Sequence, residues 1–560
     1  MADPTHVSST LLKRLEECLP QIHQIREICQ TPSITFGVVH KGKVIFKKSI
    51  GHRDAEQQLQ PDADTMYMIG SCSKMFTSAA AAILVDEGKL SWRDPIQMHV
   101  PDFNPEGDPR IGREADIIDC LRHSTGLTAP SMLCIGPRKT ILTGEEDLIP
   151  LLNMMPTSDE KGQRFNREWS YNNYLVGLVA QAIQNLTGQR FADFVRERIL
   201  DPLGMTRTAM KRSDVENDGN VAVPCVKLSD GRFVQGPEQS WPCEEHSPLL
   251  AATGMRSSLN DMLNWCIAVL AAERSENETH AAKQPNNPLR QMARVRRGYW
   301  TRPADDPDFS KDAAYGMGWF RAELPSSMLG AMSGNSESRD KDHQLHLRYI
   351  LGKDAEPFQM IGHTGGMIGS IFSVFTFPET QSAVVTMTNG RDFGDASDFT
   401  AQLLIQALFD LKPSVDLTSW AKVEAGLAAR YFREKIEQPW KEGRRLSDQE
   451  RDPMVYLGHY CGFKGRFTLS VAYRHGICDA KLFVLFNYRE ASECPLSFYR
   501  QDVYSFFEQR EDIRKTRAIN AADHRQMLLE FKVNERADKA LGLWWKWDTD
   551  AKAAWLERVG

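Results

Sequence analysis

One segment constrains this chain more than any other: Ser71-Cys-Ser-Lys-Met-Phe-Thr-Ser-Ala-Ala-Ala-Ala-Ile-Leu-Val-Asp-Glu-Gly88. Its alanine block and apolar flanks leave no polar face, so the spacing predicts a helix buried on nearly every side, with Gly88 as its C-terminal stop. Such a helix needs a shell of other elements around it, and a chain of 560 residues can supply one. That length also exceeds what a single hydrophobic core usually supports, so a large domain and a smaller one are expected.

The rest of the pattern assigns the shell. Residues 10–29 read as an amphipathic helix, and 34–40 with 43–50 as a hairpin turned at Lys41-Gly42. Helical patterns alternate with turn clusters over 90–260, while the polar stretches 270–312 and 326–345 read as surface insertions. Residues 371–377 and 382–389 alternate and are rich in β-branched side chains, two strands about Pro378-Glu379, and 397–411 reads as a closing helix. After a charged connector, 455–507 turns to short aromatic strands separated by Gly and Asn. Helices early, strands late and a helix returning over a sheet predict an α+β or mixed α/β domain at 1–425, a linker at 426–450 and a small β domain at 451–560.

Charge and composition exclude several classes. Sixty-eight basic against 74 acidic residues give a net charge of −6, with no dense Lys/Arg tract of the kind nucleic-acid binders carry. The first thirty residues lack a signal-like apolar core, and the longest apolar run, 79–85, falls far short of the ~20 residues that cross a bilayer. Eleven cysteines stand singly with no C-x-x-C, which fits a reducing compartment and predicts a cytosolic protein. There is no His-Glu-x-x-His, Gly-x-Ser-x-Gly, P-loop or dinucleotide fingerprint, so neither a metal nor a cofactor is expected. The partner expected is a small molecule, with no nucleic acid and no membrane; oligomeric state is not readable.

Chemistry enters through three separated segments. Ser71 and Lys74 lie one helical turn apart at the head of the buried helix. A serine hydroxyl needs a neighbouring base, and a lysine desolvated against an alanine wall has its ammonium form disfavoured. Ser-x-x-Lys also occurs at Ser158/Lys161, Ser338/Lys341 and Ser419/Lys422, all in polar surroundings that read as solvated pairs. Tyr171-Asn172-Asn173 offers a phenol that a nearby cation could draw toward phenolate and an amide that could orient a carbonyl; alone, such a triplet is more commonly a turn tyrosine with an Asn helix cap. His363-Thr364-Gly365-Gly366 precedes a strand, where glycines allow close backbone approach. There the Gly366 and Ser71 amides could form an oxyanion hole, and His363 could supply a proton donor or a positive charge.

In this order the three segments resemble the set found in serine β-lactamases and penicillin-binding proteins, with Tyr-x-Asn in place of Ser-Asp-Asn. The likeness extends through Tyr67–Pro95, through Leu121-Arg-His-Ser-Thr-Gly-Leu127, through Thr253–Asp261 and through Tyr315-Gly-Met-Gly-Trp319, and covers roughly residues 25–412. It is closest to the branch that holds class C β-lactamases, DD-peptidases, D-aminopeptidases, esterases and the fungal statin acyltransferase. The resemblance implies a β-lactamase/transpeptidase-like domain, an antiparallel sheet flanked by helices, followed by a small β domain similar to the lipocalin-like appendage of some peptidase relatives. It implies Ser71 as the acylated nucleophile, Lys74 and Tyr171 as the proton-transfer unit, and Asn173, His363, Thr364, Gly365 and Gly366 as substrate-binding support. His363 stands where class C β-lactamases carry Lys, which argues against efficient antibiotic hydrolysis. The function expected is a serine hydrolase or acyltransferase acting on an ester, lactone or amide of a small molecule. A D-amino-acid-specific peptidase or amidase, and an inactive binding protein on the same fold, stay open as alternatives.

Overall fold

The computed structural model describes residues 8–157, 165–236, 246–278, 286–301, 313–327, 329–333, 335, 349–367, 369–390, 393–474, 482–511, 521–534, 536, 538–549 and 551–559. At the N-terminus two helices replace the single one expected: α1 (Ser9–Glu17) and α2 (Leu19–Ile28), divided at Cys18. Pro20, in the first turn of α2, has no N–H with which to continue the α1 ladder.

Eight antiparallel strands follow in one sheet: β1 (Ser33–His40), β2 (Lys43–Gly51), β3 (Trp300–Thr301), β4 (Ala314–Tyr315), β5 (Phe320–Leu324), β6 (Phe358–Met367), β7 (Ser370–Phe377) and β8 (Ser382–Thr388). Their spatial order is β2-β1-β8-β7-β6-β5-β4-β3, so the N-terminal hairpin packs against the last strand. Side chains alternate between two cores, as the period of a strand requires. Phe36, Val38, Phe375, Phe377 and Val384 join α1, α2 and α6 (Ala396–Phe409). Val39, Phe372, Val374, Val385 and Met387 face the other way, toward α3 (Ser73–Asp86), α4 (Asn173–Thr187) and α5 (Leu259–Asn277). Because both faces are covered, β7 and β8 are buried along their whole length. The alanine helix α3 lies at the centre of the second core, buried from Ser73 to Leu84, with Phe76 stacked on Trp265 at 4.0 Å.

Of the stretch 270–312 expected to be a surface insertion, residues 279–285 and 302–312 lie outside the described residues, and the described part joins this core. Leu289, Met292, Val295 and Arg296 are buried, and Arg296 pairs with Glu273 of α5 under the ring of Trp319, 4.7 Å away. Removing one partner of a buried pair leaves an uncompensated charge. Glu273→Gln is therefore expected to cost about 3–5 kcal/mol, read as a lowered urea midpoint. A change below about 1 kcal/mol would mean that Arg296 does not depend on the carboxylate.

The charged connector is largely helical. α7 (Leu417–Phe432) runs on without a break through Glu442. Trp440 is buried, and its indole donates to Ser505 Oγ at 2.8 Å. The remaining chain forms a closed eight-stranded antiparallel barrel from Gly458 to Val559. Buried, mutually packed rings of Tyr460, Phe467, Phe486, Phe531 and Trp545 fill its interior. Ion pairs Lys464–Glu106 and Arg466–Asp147 and the Asn487 amide on the Leu142 carbonyl tie the barrel to the segment that precedes α4. Among the described residues no helix is long and apolar enough to cross a membrane.

Candidate active site

A short turn, Gly70–Cys72, delivers Ser71 to the head of α3, and strand β6 presses on that turn backbone to backbone. Gly70 has φ +51°, and a Cβ there would lie 2.9 Å from the Gly366 nitrogen. A Cβ on Gly365 would lie 1.9 Å from the Ile69 carbonyl oxygen and 3.1 Å from the Ser71 nitrogen. Only glycine fits at either position. The Ser71 and Gly366 amides thus belong to one contact between the Gly70–Cys72 turn and β6.

Tyr171 Oη donates to Ser71 Oγ at 2.9 Å. Lys74 is fully buried one turn further on; its Nζ donates to the Ala252 carbonyl at 3.1 Å and sits 4.8 Å from the centroid of the Tyr171 ring. Burial disfavours the ammonium and brings the Lys74 pKa from 10.5 to about 7. Burial acts oppositely on the Tyr171 phenol: it is pushed well up, and the hydrogen bond to Ser71 offsets this only in part. The phenolate that the sequence suggested is thus disfavoured. Tyr171 is a proton donor to Oγ, and Lys74 keeps a substantial neutral fraction near pH 7.

His123, whose role the sequence did not reveal, brackets Tyr171. Its carbonyl accepts from the Ser170 N–H at 2.9 Å, and its Nδ1 accepts from the Asn172 N–H at 3.2 Å. Its ring lies 4.3 Å from that of Tyr171. His123 makes both bonds from a left-handed backbone, φ +64°, uncommon at a non-glycine residue. The only signal in the sequence was the segment Leu121–Leu127, legible as a likeness but not as a geometry. Asn172 caps α4 by accepting from the Tyr174 N–H. Asn173, the first residue of that helix, leaves its Oδ1 buried with no hydrogen-bond partner among the described residues.

The third segment is tied into its surroundings by hydrogen bonds. His363 is 1% exposed, its Nδ1 donates to the Thr364 carbonyl, and Nε2 therefore accepts from Tyr315 Oη at 3.0 Å. Burial, assisted by the nearby Lys74 charge, lowers its pKa to about 3. Burial thus favours the neutral imidazole at His363, and of the two roles offered there, proton donor or positive charge, the charge is disfavoured. The Thr364 hydroxyl donates to the Met332 carbonyl. Tyr315 was a further residue without a predicted role; its ring packs against His123 and Trp169 and completes an aromatic wall with Tyr171.

Of the other Ser-x-x-Lys pairs, Ser419 is engaged in the Asp416 cap of α7, while Ser158/Lys161 and Ser338/Lys341 lie outside the described residues. Among the described residues no three His, Cys, Asp or Glu side chains converge as a metal site.

Comparison with known proteins gives a consistent set of similarities. Residues 16–407 match the beta-lactamase family. Protein flp of Staphylococcus aureus (strain COL) is 26% identical over 186 residues, which span 33% of this chain and 36% of that protein, so the match covers about a third of that relative's length. Unguisins hydrolase ungD of Aspergillus violaceofuscus (strain CBS 115571) is 22% identical over 453 residues, 76% of this chain and 72% of that protein. Among solved structures, the octameric penicillin-binding protein homologue from Pyrococcus abyssi superposes with a TM-score of 0.53 at 19% identity, covering 98% of this chain and 100% of that one, a likeness of fold.

Proposed function

The chain belongs to the beta-lactamase family, and from that premise we propose that it is a serine hydrolase or acyltransferase that forms an acyl-enzyme at Ser71 with an ester, lactone or amide of a small molecule. One observation carries the reading: Tyr171 Oη bonded to Ser71 Oγ at 2.9 Å, beside a buried Lys74 whose pKa lies near 7. The neutral Lys74 amine takes the Ser71 proton as Oγ bonds to the acyl carbon, and the oxyanion falls to the Ser71 and Gly366 amides. Tyr171 then protonates the leaving group as its bond to the acyl carbon breaks, and is itself reprotonated by the Lys74 ammonium. Water or an acceptor hydroxyl reverses the steps. The similarity to a protein named as a hydrolase, over 76% of this chain, supports the same class.

Tyr171→Phe tests the relay. It keeps the ring and loses the donor, and is expected to lower kcat/KM for p-nitrophenyl acetate about 10²–10⁴-fold. Intact-protein mass spectrometry on the wild type should show the acetyl adduct at Ser71. Absence of any adduct on folded protein, across esters, anilides and lactones, would refute the proposal.

A further inference from the structure

Resting on that reading, we infer that His123 is a positioning residue for the acylation step: it splints the Tyr171 backbone from both sides and so fixes Oη against Ser71 Oγ. Tyr171 lies in an irregular run, 169–172, just before α4, so neither a helix nor a sheet ladder holds it in place. The two backbone N–H groups that flank it both end on His123, that of Ser170 on the carbonyl at 2.9 Å and that of Asn172 on Nδ1 at 3.2 Å. The imidazole also packs on the Tyr171 ring, 4.3 Å between centroids. With backbone and ring both held, the phenol reaches Oγ at 2.9 Å, its only hydrogen bond among the described residues.

The splint is itself anchored. Arg122 and Ser124, on either side of His123, both reach Asp119 Oδ1, at 2.6 and 3.1 Å, and the Asp119 carboxylate closes the capping box of the helix Ile117–Leu121. The Asn166 N–H donates to the Ser124 carbonyl and Asn172 Nδ2 to the Leu127 carbonyl, so the turn 121–127 grips the Tyr171 segment along its length. Two features of His123 cost free energy: its positive φ, and a buried Nε2 with no partner among the described residues. Because the Asn172 N–H occupies Nδ1, the ring proton sits on Nε2. Burial, helped by the nearby Lys74 and His363, keeps the ring neutral and Nδ1 an acceptor. An apolar side chain would fill this core at less cost. What it could not supply is the second bond to the Tyr171 segment.

The test follows acylation of the full-length protein by p-nitrophenyl acetate, read as the p-nitrophenolate burst per active site, with sites counted by the mass of the acetyl adduct. His123→Leu, which removes the acceptor, should slow acylation at saturating ester about 10–100-fold, the loss that a misplacement near 1 Å brings. The half-saturating ester concentration should stay within about threefold, because the hydroxyl of Tyr171 acts in the transition state rather than in binding. His123→Asn places Oδ1 where Nδ1 stood and tolerates the left-handed backbone, so it should return the rate to within about threefold of wild type. In a Tyr171→Phe background His123→Leu should cost less than about twofold more, since two residues that act through one hydroxyl are not additive. A merely structural role would lower the count of active sites and leave the rate per site, the rescue and the additivity untouched. If His123→Leu does not fold, His123→Gln, which carries the acceptor one bond further out, is compared with His123→Asn in the same way. Wild-type rates in these variants, no rescue by Asn, or full additivity with Tyr171→Phe would overturn the inference and leave the acyl-enzyme at Ser71 standing. No adduct on the wild type would overturn the reading beneath it.

Discussion

Ser71→Ala is expected to abolish acyl-enzyme formation and to lower kcat/KM on activated esters by about 10⁴-fold or more, with the fold unchanged. No other side chain at this point can take over. The neighbouring Cys72 is buried with its thiol turned to the His363 carbonyl and its pKa pushed up, and Ser73 Oγ donates to the Gly70 carbonyl. What survives is the binding and oxyanion stabilisation that persists when a nucleophile is removed, which in comparable serine enzymes leaves about 10³–10⁴-fold over water. The structural cost is small. Ser71 is only half-buried, and the hydrogen bond lost is the single one it accepts from Tyr171, so stability should change by no more than about 1 kcal/mol. Mass spectrometry after incubation with p-nitrophenyl acetate, alongside a thermal melt, reads both. An adduct of unchanged size on the alanine variant would move the nucleophile elsewhere and end the assignment.

Much of this molecule was legible because its local signals agree with its global arrangement. The alanine run forced α3 into the core, and the β-branched stretches flanking Pro378-Glu379 became β7 and β8. The three chemical segments were legible as residue types at fixed spacing, and the contact of Tyr171 with Ser71 follows from where their elements sit. What escaped the sequence is what depends on surroundings. Polarity placed Arg296 on the surface, yet Glu273 and Trp319 hold it inside. Charge density read 426–450 as a linker, although Ile436 and Trp440 supply a helical apolar stripe that docks on the barrel. The charge states of Tyr171 and His363 were not legible for the same reason: ionisation reports desolvation, and desolvation is a property of the enclosing fold. His123 acts through a left-handed turn and two backbone bonds, neither of which a residue type announces.

Lys74→Met should separate catalysis from stability more sharply than any other substitution. Activity should fall at least ~100-fold, because the group that accepts the Ser71 proton is gone. In the wild type the amine is the active form, so kcat/KM should rise with pH through about 7 and level off above it. In the variant, stability should change in the opposite sense to activity. Lys74 titrates near 7 in the folded chain against 10.5 in its usual environment, so between these values the unfolded chain binds one more proton. Wild-type stability therefore climbs as pH rises from 7 to about 10, and the burial penalty is fully present below 7. At 1.36 kcal/mol per pH unit the shift corresponds to about 5 kcal/mol at most, reduced by the hydrogen bond to Ala252 that Met cannot make. Lys74→Met should accordingly be more stable than wild type by a few kcal/mol at pH 6, with the gain fading toward pH 10. Urea melts at pH 6, 8 and 10 decide the matter. A variant that is less stable at pH 6, or a gain that does not change with pH, would mean that Lys74 is not held desolvated beside Tyr171, and the proposed base would lose its physical ground.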